Sequence, residues 1–311
     1  MDNILYKFKP VKILGRGSQG TVILTHDENY VVKIYTKKLK NLKMLIKILD
    51  FLINYNNLPK TIYKSYHITE QQNSLNRYLH NNLPQHFSFT NEENLKKLSK
   101  NYKIKPLLFE VIKTYKLTLR DFFENLIKNN LNNNIKIEIL HSLLYQGLFT
   151  LLWLYMKKGI VHLDINADNF FIEETKDKIF NIAINGVTYN VKLYGYYLII
   201  ADFGYARSIE VIDYDSYEYS INVNIESLNI HPLNDIMDYI KMFKKYFKKL
   251  NIDDIKINLD KVNIRSNYTK QDYRDMLRSY YKKKDDLKNN IKKFKKDFFL
   301  FFRKYILNEK V

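Results

Sequence analysis

The chain has no cysteine, few glycines and prolines, and no apolar run long enough to cross a membrane comfortably. The lack of cysteine excludes disulfides, thiolate nucleophiles and cysteine-based zinc sites, so a metal would have to be bound by oxygen ligands. Only 8 Gly and 5 Pro occur among 311 residues, and neither a Gly/Ser-rich linker nor an internal repeat is present. We therefore expect one continuous folded chain.

The longest uncharged apolar stretch, from Ser142 to Met156, is short for a bilayer span and is interrupted by Gln146 and Gly147. It indicates a buried core helix. The sequence begins without a basic region followed by an apolar run, so nothing there is typical of a secretory signal. We expect an intracellular protein of the cytoplasm, or of the host cell or virion if the chain is viral.

The charge is strongly unbalanced, with 51 Lys and Arg against 33 Asp and Glu and a net charge of +18. Such an excess is typical of proteins that bind nucleic acid, anionic membranes or acidic proteins. However, four residue types are abundant along the whole chain: Lys, Asn, Ile and Tyr. This bias is typical of A+T-rich coding sequences, such as those of large DNA viruses and some protozoa. The pattern favours a solvated basic surface over a functional one and leaves both interpretations open.

Hydrophobic periodicity predicts a mixed α+β fold that begins with a sheet. Residues 8–35 alternate as three antiparallel strands, and residues 37–57 carry apolar side chains at helical spacing. A second helix is expected at about 68–80. Residues 106–112 form a short apolar run typical of a central strand.

The second half of the chain is predicted to be mainly helical. Lys157, Lys158 and Gly159 are typical of a helix C-terminus. Between Asn169 and Asp202, residues 173–194 indicate an extra hairpin that turns at Asn185-Gly186. The helices are expected at residues 118–128, 135–157 and 233–250, with one or two very basic helices within 270–307.

Three glycines, Gly15, Gly17 and Gly20, lie in the first predicted hairpin. The same spacing marks dinucleotide-binding folds, but there a helix begins at the third glycine and an acidic residue follows about twenty positions later. Here Thr21 and Val22 continue as a strand. A strand–turn–strand glycine loop is the type that covers nucleotide phosphates with backbone N–H groups.

Three further motifs follow in order along the chain. Lys33 is flanked by Val31, Val32 and Ile34 on an apolar strand, where a lysine needs an anionic partner. In the segment from Gly159 to Phe170, Asp164 precedes Asn169 by five positions. A fixed short loop of this kind can bring a proton-accepting carboxylate and a metal-binding amide to one phosphate. The run Ala201-Asp202-Phe203-Gly204 comes last.

Together these four motifs resemble the protein-kinase family over roughly residues 8–245, in the form of a divergent serine/threonine-protein kinase. The resemblance implies an α+β bilobal protein-kinase-like fold in a single domain, with a small β-rich N-lobe at about 1–112 and a larger helical C-lobe at about 113–311. A basic helical extension would begin at about 270. It also implies the cofactors ATP and Mg²⁺ and protein substrates with Ser or Thr hydroxyls.

The resemblance assigns a role to each matching residue. Asp164 would be the catalytic base, with Lys33 and Asn169 as the other catalytic residues, and Asn169 and Asp202 would bind the metal. Glu70 would be the helix glutamate that pairs with Lys33, and Glu110 and Ile112 would lie at the adenine site. The remaining nucleotide-binding residues are Leu14, Gly15, Arg16, Gly17, Ser18, Gln19, Gly20, Thr21 and Val22.

Several positions depart from the family pattern. Leu163 replaces the arginine that receives an activation-loop phosphate, which argues against that form of control. Asn166 replaces the lysine of serine/threonine kinases, Asp168 stands where tyrosine kinases carry arginine, and the Ala-Pro-Glu signature is missing. Asp235 would match the aspartate that caps the catalytic-loop backbone, although a simple helix N-cap is an equal alternative.

Three other functions remain open at this point. A small-molecule phosphotransferase of the aminoglycoside or choline kinase type shares the His-x-Asp-x-x-x-x-Asn loop. A pseudokinase would serve as a binding or scaffolding module without turnover. The basic C-terminal helices, with the aromatic run Phe298 to Phe302, would in addition bind nucleic acid or an anionic membrane.

Overall fold

The structure is a computed structural model that describes residues 10–16, 20–35, 42–70, 108–210, 232–250 and 287–307. It divides into two compact units. Unit 1 comprises Met1–Lys116 with Ala201–Gly204, and unit 2 comprises Leu117–Ile200 with Tyr205–Val311. Every strand pairing among the described residues is antiparallel, so the fold is a mixed α+β fold with antiparallel sheets.

Unit 1 contains one five-stranded sheet with the order β1-β2-β3-β5-β4. Its strands are β1 (Pro10–Arg16), β2 (Gly20–Thr25), β3 (Tyr30–Tyr35), β4 (Ser65–Glu70) and β5 (Leu108–Lys113). The three antiparallel strands predicted for residues 8–35 are confirmed over the described residues. The strand predicted at 106–112 is also confirmed, and it is internal because β5 pairs with both β3 and β4.

One helix of unit 1, α1 (Leu42–Asn54), follows β3. It buries an apolar stripe that includes Leu45, Ile48, Leu49 and Leu52. The amphipathic helix predicted for residues 37–57 is therefore confirmed at its centre, where the spacing of these side chains covers one helix face. Residues 37–41 lie outside the described residues.

The helix predicted at about 68–80 is wrong in its first residues. Ser65–Glu70 form strand β4, which pairs with β5 from Ser65↔Ile112 to Glu70↔Leu108. Aromatic and β-branched residues such as Tyr66, Ile68 and Thr69 favour a strand, and the neighbouring β5 supplies the hydrogen-bonding partner. Residues 71–80 lie outside the described residues.

Unit 2 contains four helices among its described residues. They are α2 (Leu119–Lys128), α3 (Asn133–Lys158), α4 (Pro232–Lys249) and α5 (Leu287–Phe301), and a π-helical turn, Phe302–Ile306, follows α5. The helices predicted for 118–128, 135–157 and 233–250 are confirmed. Helix α3 ends as expected at Gly159, which adopts φ 58 and donates its N–H to Tyr155 O.

The strands of unit 2 form three small sheets. A three-stranded sheet has the order β11-β8-β6, and the pairs β10-β9 and β12-β7 are separate. The strands are β6 (Leu117–Thr118), β7 (Ile160–Val161), β8 (Phe170–Glu174), β9 (Ile179–Ile184), β10 (Val187–Lys192), β11 (Tyr196–Ile200) and β12 (Arg207–Ser208). The predicted extra hairpin is confirmed as β9-β10, inserted between the paired strands β8 and β11.

Helix α3 forms the centre of unit 2. Among the described residues it is the one helix long and apolar enough to cross a membrane, but 78% of its most apolar window is buried inside the protein. Its polar side chains bind the surrounding strands: Ser142 Oγ donates to Lys192 O, and Gln146 Oε1 accepts from Leu198 N. Tyr239 of α4 donates a hydrogen bond to Leu143 O. The apolar faces of α3 are thus covered by the chain itself, as a core helix requires.

Helix α5 packs on unit 2 through its aromatic residues. Phe298, Phe299 and Phe302 are almost fully buried, and the Phe298 ring lies 5.3 Å from that of Tyr155 in an edge-on arrangement. Lys295 is also buried, where it donates to Met156 O and pairs with Glu210. Some of the aromatic and basic residues that were predicted to bind a membrane or nucleic acid therefore belong to the core of unit 2.

Candidate active site

In unit 1, the predicted lysine and the predicted metal-binding aspartate are in contact. Lys33 lies on β3 with its side chain 8% exposed, and its Nζ is 2.5 Å from Asp202 Oδ1. The backbone N–H of Gly204 donates to the same oxygen at 3.2 Å. Asp202 adopts φ 61, a left-handed conformation that non-glycine residues rarely take and that is often found at functional sites. Its carboxylate keeps 32% exposure.

Phe203 anchors the segment that carries Asp202. Its side chain is fully buried and stacks on Tyr63, with ring centroids 5.5 Å apart and planes at 19°. Since stacked aromatic rings with little exposed surface resist displacement, this contact fixes the backbone on which Asp202 is presented.

Glu110 lies on β5 directly opposite Lys33 in the strand register. It is fully buried, and its carboxylate accepts hydrogen bonds from Tyr35 OH at 2.8 Å and from Tyr63 OH. Burial raises the pKa of Glu110, while the hydroxyl of Tyr63, the charge of Lys33 and the hydroxyl of Tyr35 act in the opposite direction. The side chain thus faces the interior of unit 1 beside the lysine.

The two described glycines of the predicted phosphate loop differ in their surroundings. A Cβ built on Gly20 would come closer than 3.0 Å to Ile34 O of β3, whereas one built on Gly15 would meet nothing within 4 Å. Gly20 is therefore required by the close approach of β2 to β3. Gly17, Ser18 and Gln19 lie outside the described residues.

The other predicted nucleotide-binding residues of unit 1 lie on the sheet. Leu14 on β1 is half exposed, Thr21 on β2 is buried, and Val22 is half-buried. Ile112 lies on β5 and is half-buried. Arg16 is the last residue of β1, and its side chain is not described.

Glu70 does not lie on a helix, contrary to the prediction. It is the last residue of strand β4, for the reason given above, and its side chain is not described. The helix that follows Lys33 is α1, which contains no glutamate. The sequence pattern predicted a helical partner for Lys33 and placed Glu110 at the adenine site, and no local pattern indicated that Glu110 lies opposite Lys33.

In unit 2, Asp164 and Asn169 are in direct contact. Asn169 Nδ2 donates to Asp164 Oδ2 at 2.8 Å and to Asp164 O at 2.8 Å. Asn166 Nδ2 donates to Asp164 Oδ1 at 3.1 Å, so each carboxylate oxygen accepts one amide hydrogen bond. Because the amide nitrogen of Asn169 makes these bonds, its carbonyl oxygen is the atom that can bind a cation.

The backbone before Asp164 is held by Asp235 of α4. Asp235 Oδ2 accepts from His162 N at 2.5 Å, and Oδ1 accepts from Leu163 N at 2.9 Å. Leu163 adopts φ 64, a left-handed conformation that costs about 1–2 kcal/mol for a side chain with a Cβ. The two hydrogen bonds offset this cost. Asp235 lies in the first turn of α4, not at its N-cap position, so the predicted support of the loop fits better than a simple helix cap.

His162 and Asp168 flank the loop in different environments. His162 is buried, and its Nδ1 accepts a hydrogen bond from Asp164 N at 3.3 Å, as expected for a structural histidine. Asp168 is exposed and forms a bidentate ion pair with Arg120 of α2, at 2.6 and 2.7 Å. The Asp168 carboxylate raises the pKa of Arg120. No pattern in the sequence predicted the ion pair between Arg120 and Asp168.

The oxygen donors present suit magnesium. Among the described residues, no group of three or more His, Asp or Glu side chains could hold a metal ion. Mg²⁺ bound to nucleotide phosphates usually takes one or two carboxylates and completes its coordination with phosphate and water oxygens. In unit 1, the Asp202 carboxylate is a donor of this kind, and the Lys33 ammonium group beside it is suited to phosphate. In unit 2, the amide oxygen of Asn169 is a donor of this kind.

Comparison of the chain with protein-family models gives no match, and neither does comparison with curated proteins.

Proposed function

We propose that the chain is an ATP- and Mg²⁺-dependent protein kinase that transfers the γ-phosphate to Ser or Thr hydroxyls. The observation that carries the proposal is the contact between Lys33 and Asp202, which are 169 positions apart in the sequence. Two charged residues picked from separate motifs meet with their ionised groups 2.5 Å apart, as expected if both serve one triphosphate and its metal.

Two further observations support the proposal. Lys33 lies on the third strand of an antiparallel sheet, which is where protein kinases carry the lysine that binds the phosphates. Asp164 and Asn169 are joined by two hydrogen bonds, which is the pairing that a catalytic loop needs to present a carboxylate and an amide oxygen together. In keeping with this, we propose that units 1 and 2 correspond to the small and large lobes of a kinase.

In the proposed reaction, Lys33 binds phosphate oxygens. Asp202 and Asn169 are the residues that would hold magnesium, which when bound would supply positive charge to the phosphates. Asp164 accepts the proton of the substrate hydroxyl. The hydroxyl oxygen bonds to the γ-phosphorus while the bond from that phosphorus to the β–γ bridging oxygen breaks, and ADP leaves with the electron pair. The amide groups of Asn166 and Asn169 orient the Asp164 carboxylate for this step.

The test is transfer of labelled γ-phosphate from MgATP to casein, myelin basic protein and histone by the full chain. We expect transfer by the wild type and its loss in Asp164→Ala and Asp202→Ala. Asp50→Ala is the matched control, since Asp50 is an exposed aspartate of α1. Phosphoamino-acid analysis should identify phosphoserine or phosphothreonine.

Each alternative predicts a different result. Nucleotide binding without transfer to any acceptor would overturn the kinase proposal in favour of a pseudokinase. Transfer to aminoglycosides or choline but not to proteins would favour a small-molecule phosphotransferase. Transfer that survives both Asp substitutions would contradict the roles assigned here.

A further inference from the structure

The segment after Lys33 lacks the acidic residue that usually pairs with this lysine. Between Lys33 and Glu70 the sequence contains a single acidic residue, Asp50. Asp50 lies on α1 and is exposed to solvent. Since Glu70 ends strand β4, neither residue occupies the helical position that would serve Lys33.

A carboxylate nevertheless lies next to Lys33 within the sheet. Glu110 is its cross-strand partner on β5, and directly opposed residues of antiparallel strands project from the same face of the sheet with Cβ atoms about 5 Å apart. Tyr35, two positions after Lys33, shares that face. Its ring lies 4.8 Å from Lys33 Nζ, and its hydroxyl donates to Glu110.

Glu110 is held rigidly in this position. Tyr35 OH donates to Oε2 and Tyr63 OH donates to Oε1, so both carboxylate oxygens have partners. Tyr63 in turn stacks on Phe203, next to Asp202. A buried carboxylate is costly unless it is hydrogen-bonded and compensated by charge, and the positive charge of Lys33 favours the ionised form of Glu110.

We propose that Glu110 is a positioning residue that takes the place of the missing helix glutamate and holds Lys33 from the sheet side. This inference rests on the proposed phosphotransferase function. When MgATP is bound, the Asp202 carboxylate would also be engaged by magnesium, so its contact alone would hold the Lys33 ammonium group less firmly. Glu110 orients the ammonium group from its position on β5, and Tyr35 and Tyr63 hold Glu110 in place.

The first test measures the reactivity of the Lys33 amine, which needs no catalytic activity. Trace acetylation with acetic anhydride at fixed pH, followed by peptide mass spectrometry, gives a rate for Lys33 relative to exposed Lys47. The reagent must reach the amine, and Lys33 is shielded because its side chain is only 8% exposed and is packed beside Asp202 and Tyr35. We expect Glu110→Gln to be acetylated at Lys33 roughly tenfold faster than the wild type, since a lost contact makes local opening easier. An unchanged rate would overturn the proposal.

Two companion variants guard against simpler explanations. Glu138→Gln is the matched control, because Glu138 also accepts a tyrosine hydrogen bond, from Tyr194, but lies in unit 2. If Glu110→Gln does not fold, Asp202→Asn decides the question. In Asp202→Asn, where Glu110 is intact, Lys33 should still be acetylated much more slowly than Lys47. Acetylation of Lys33 at the rate of Lys47 would contradict the role assigned to Glu110.

The second test uses phosphate transfer. A lost positioning contact weakens nucleotide binding, so Glu110→Gln should raise KM for MgATP roughly tenfold with a smaller change in kcat. A variant that is merely less stable would instead lose active protein at unchanged KM, which would count against the proposal. If the wild type transfers no phosphate at all, the proposed function fails, while the acetylation rates still decide whether Glu110 holds Lys33.

Discussion

At the scale of single residues, the two described glycines of the first hairpin carry different constraints. Gly20 meets the backbone of β3, and Gly15 faces open space. We expect Gly20→Ala to destabilise the protein by about 1–3 kcal/mol because the added methyl group forces β2 away from β3. Gly15→Ala is the control and should change stability by much less. Urea unfolding of both variants measures the difference, and equal losses would contradict the close approach at Gly20.

Asp235 is a second residue whose environment makes a measurable prediction. Burial raises its pKa to about 6, although the charge of His162 and the N–H groups of His162 and Leu163 act in the opposite direction. The folded protein therefore binds this proton more tightly than the unfolded chain, whose aspartate has a pKa of 3.8. Proton binding at Asp235 therefore stabilises the folded protein fully below about pH 4, and this stabilisation is lost as the pH rises to about 6.

Asp235→Asn should remove this dependence. The stability difference between wild type and variant should fall by on the order of 3 kcal/mol from about pH 4 to about pH 6 and should then stay flat. Asp238→Asn, an exposed neighbour on α4, is the control. Thermal unfolding across this range measures the difference, and a constant value from pH 4 to 7 would show that Asp235 is not buried as described.

At the scale of elements, the β9-β10 hairpin depends on its two-residue turn. Asn185 and Gly186 have φ values of 51 and 83, which suit a turn whose twist matches that of the strands. Gly186→Ala should destabilise the protein by about 1 kcal/mol, because a Cβ is strained at that φ. Asn185→Gly, which removes a Cβ at a positive φ, should change little. Thermal unfolding of the two variants gives the comparison, and no loss for Gly186→Ala would contradict the turn geometry.

The C-terminal helix α5 has a core face and a solvent face. Phe298 is buried against Tyr155, whereas Lys292, Lys293 and Lys296 are exposed. Phe298→Ala should cost about 3–5 kcal/mol in the free energy of unfolding, since it leaves a cavity. Replacing the three lysines with glutamine should change stability by less than about 1 kcal/mol.

Chemical denaturation of both proteins tests this difference. A small loss for Phe298→Ala would mean that α5 is not packed on unit 2. The same triple variant also tests whether the basic surface binds polyanions, because it removes charge without removing the core residues that a deletion of 284–311 would take away.

Most elements followed from local patterns, and the failures have physical causes. Strands β1, β2 and β3, helices α2, α3 and α4, and the β9-β10 hairpin were predicted because alternation, helical spacing and turn residues act over short distances. The error at residues 68–70 arose because the strand Ser65–Glu70 is stabilised by pairing with β5. That pairing joins residues far apart in the sequence.

For the candidate site, motif spacing selected Lys33, Asp164, Asn169 and Asp202. The structure pairs Lys33 with Asp202 and Asp164 with Asn169, and their catalytic roles stay predictions. The contacts that hold these residues were harder to find. Glu110 with its two tyrosines and the Arg120–Asp168 ion pair depend on register and packing, which no local pattern encodes.

At the scale of the whole molecule, we propose that Asp164 takes part in phosphate transfer and not in nucleotide binding. The most direct measurement is the single-turnover rate of transfer from prebound MgATP, together with nucleotide affinity, in wild type and Asp164→Asn. We predict an affinity within about threefold of the wild type and a transfer rate lower by roughly 100-fold or more, the usual contribution of a general base. Equal transfer rates in the two proteins would contradict the account.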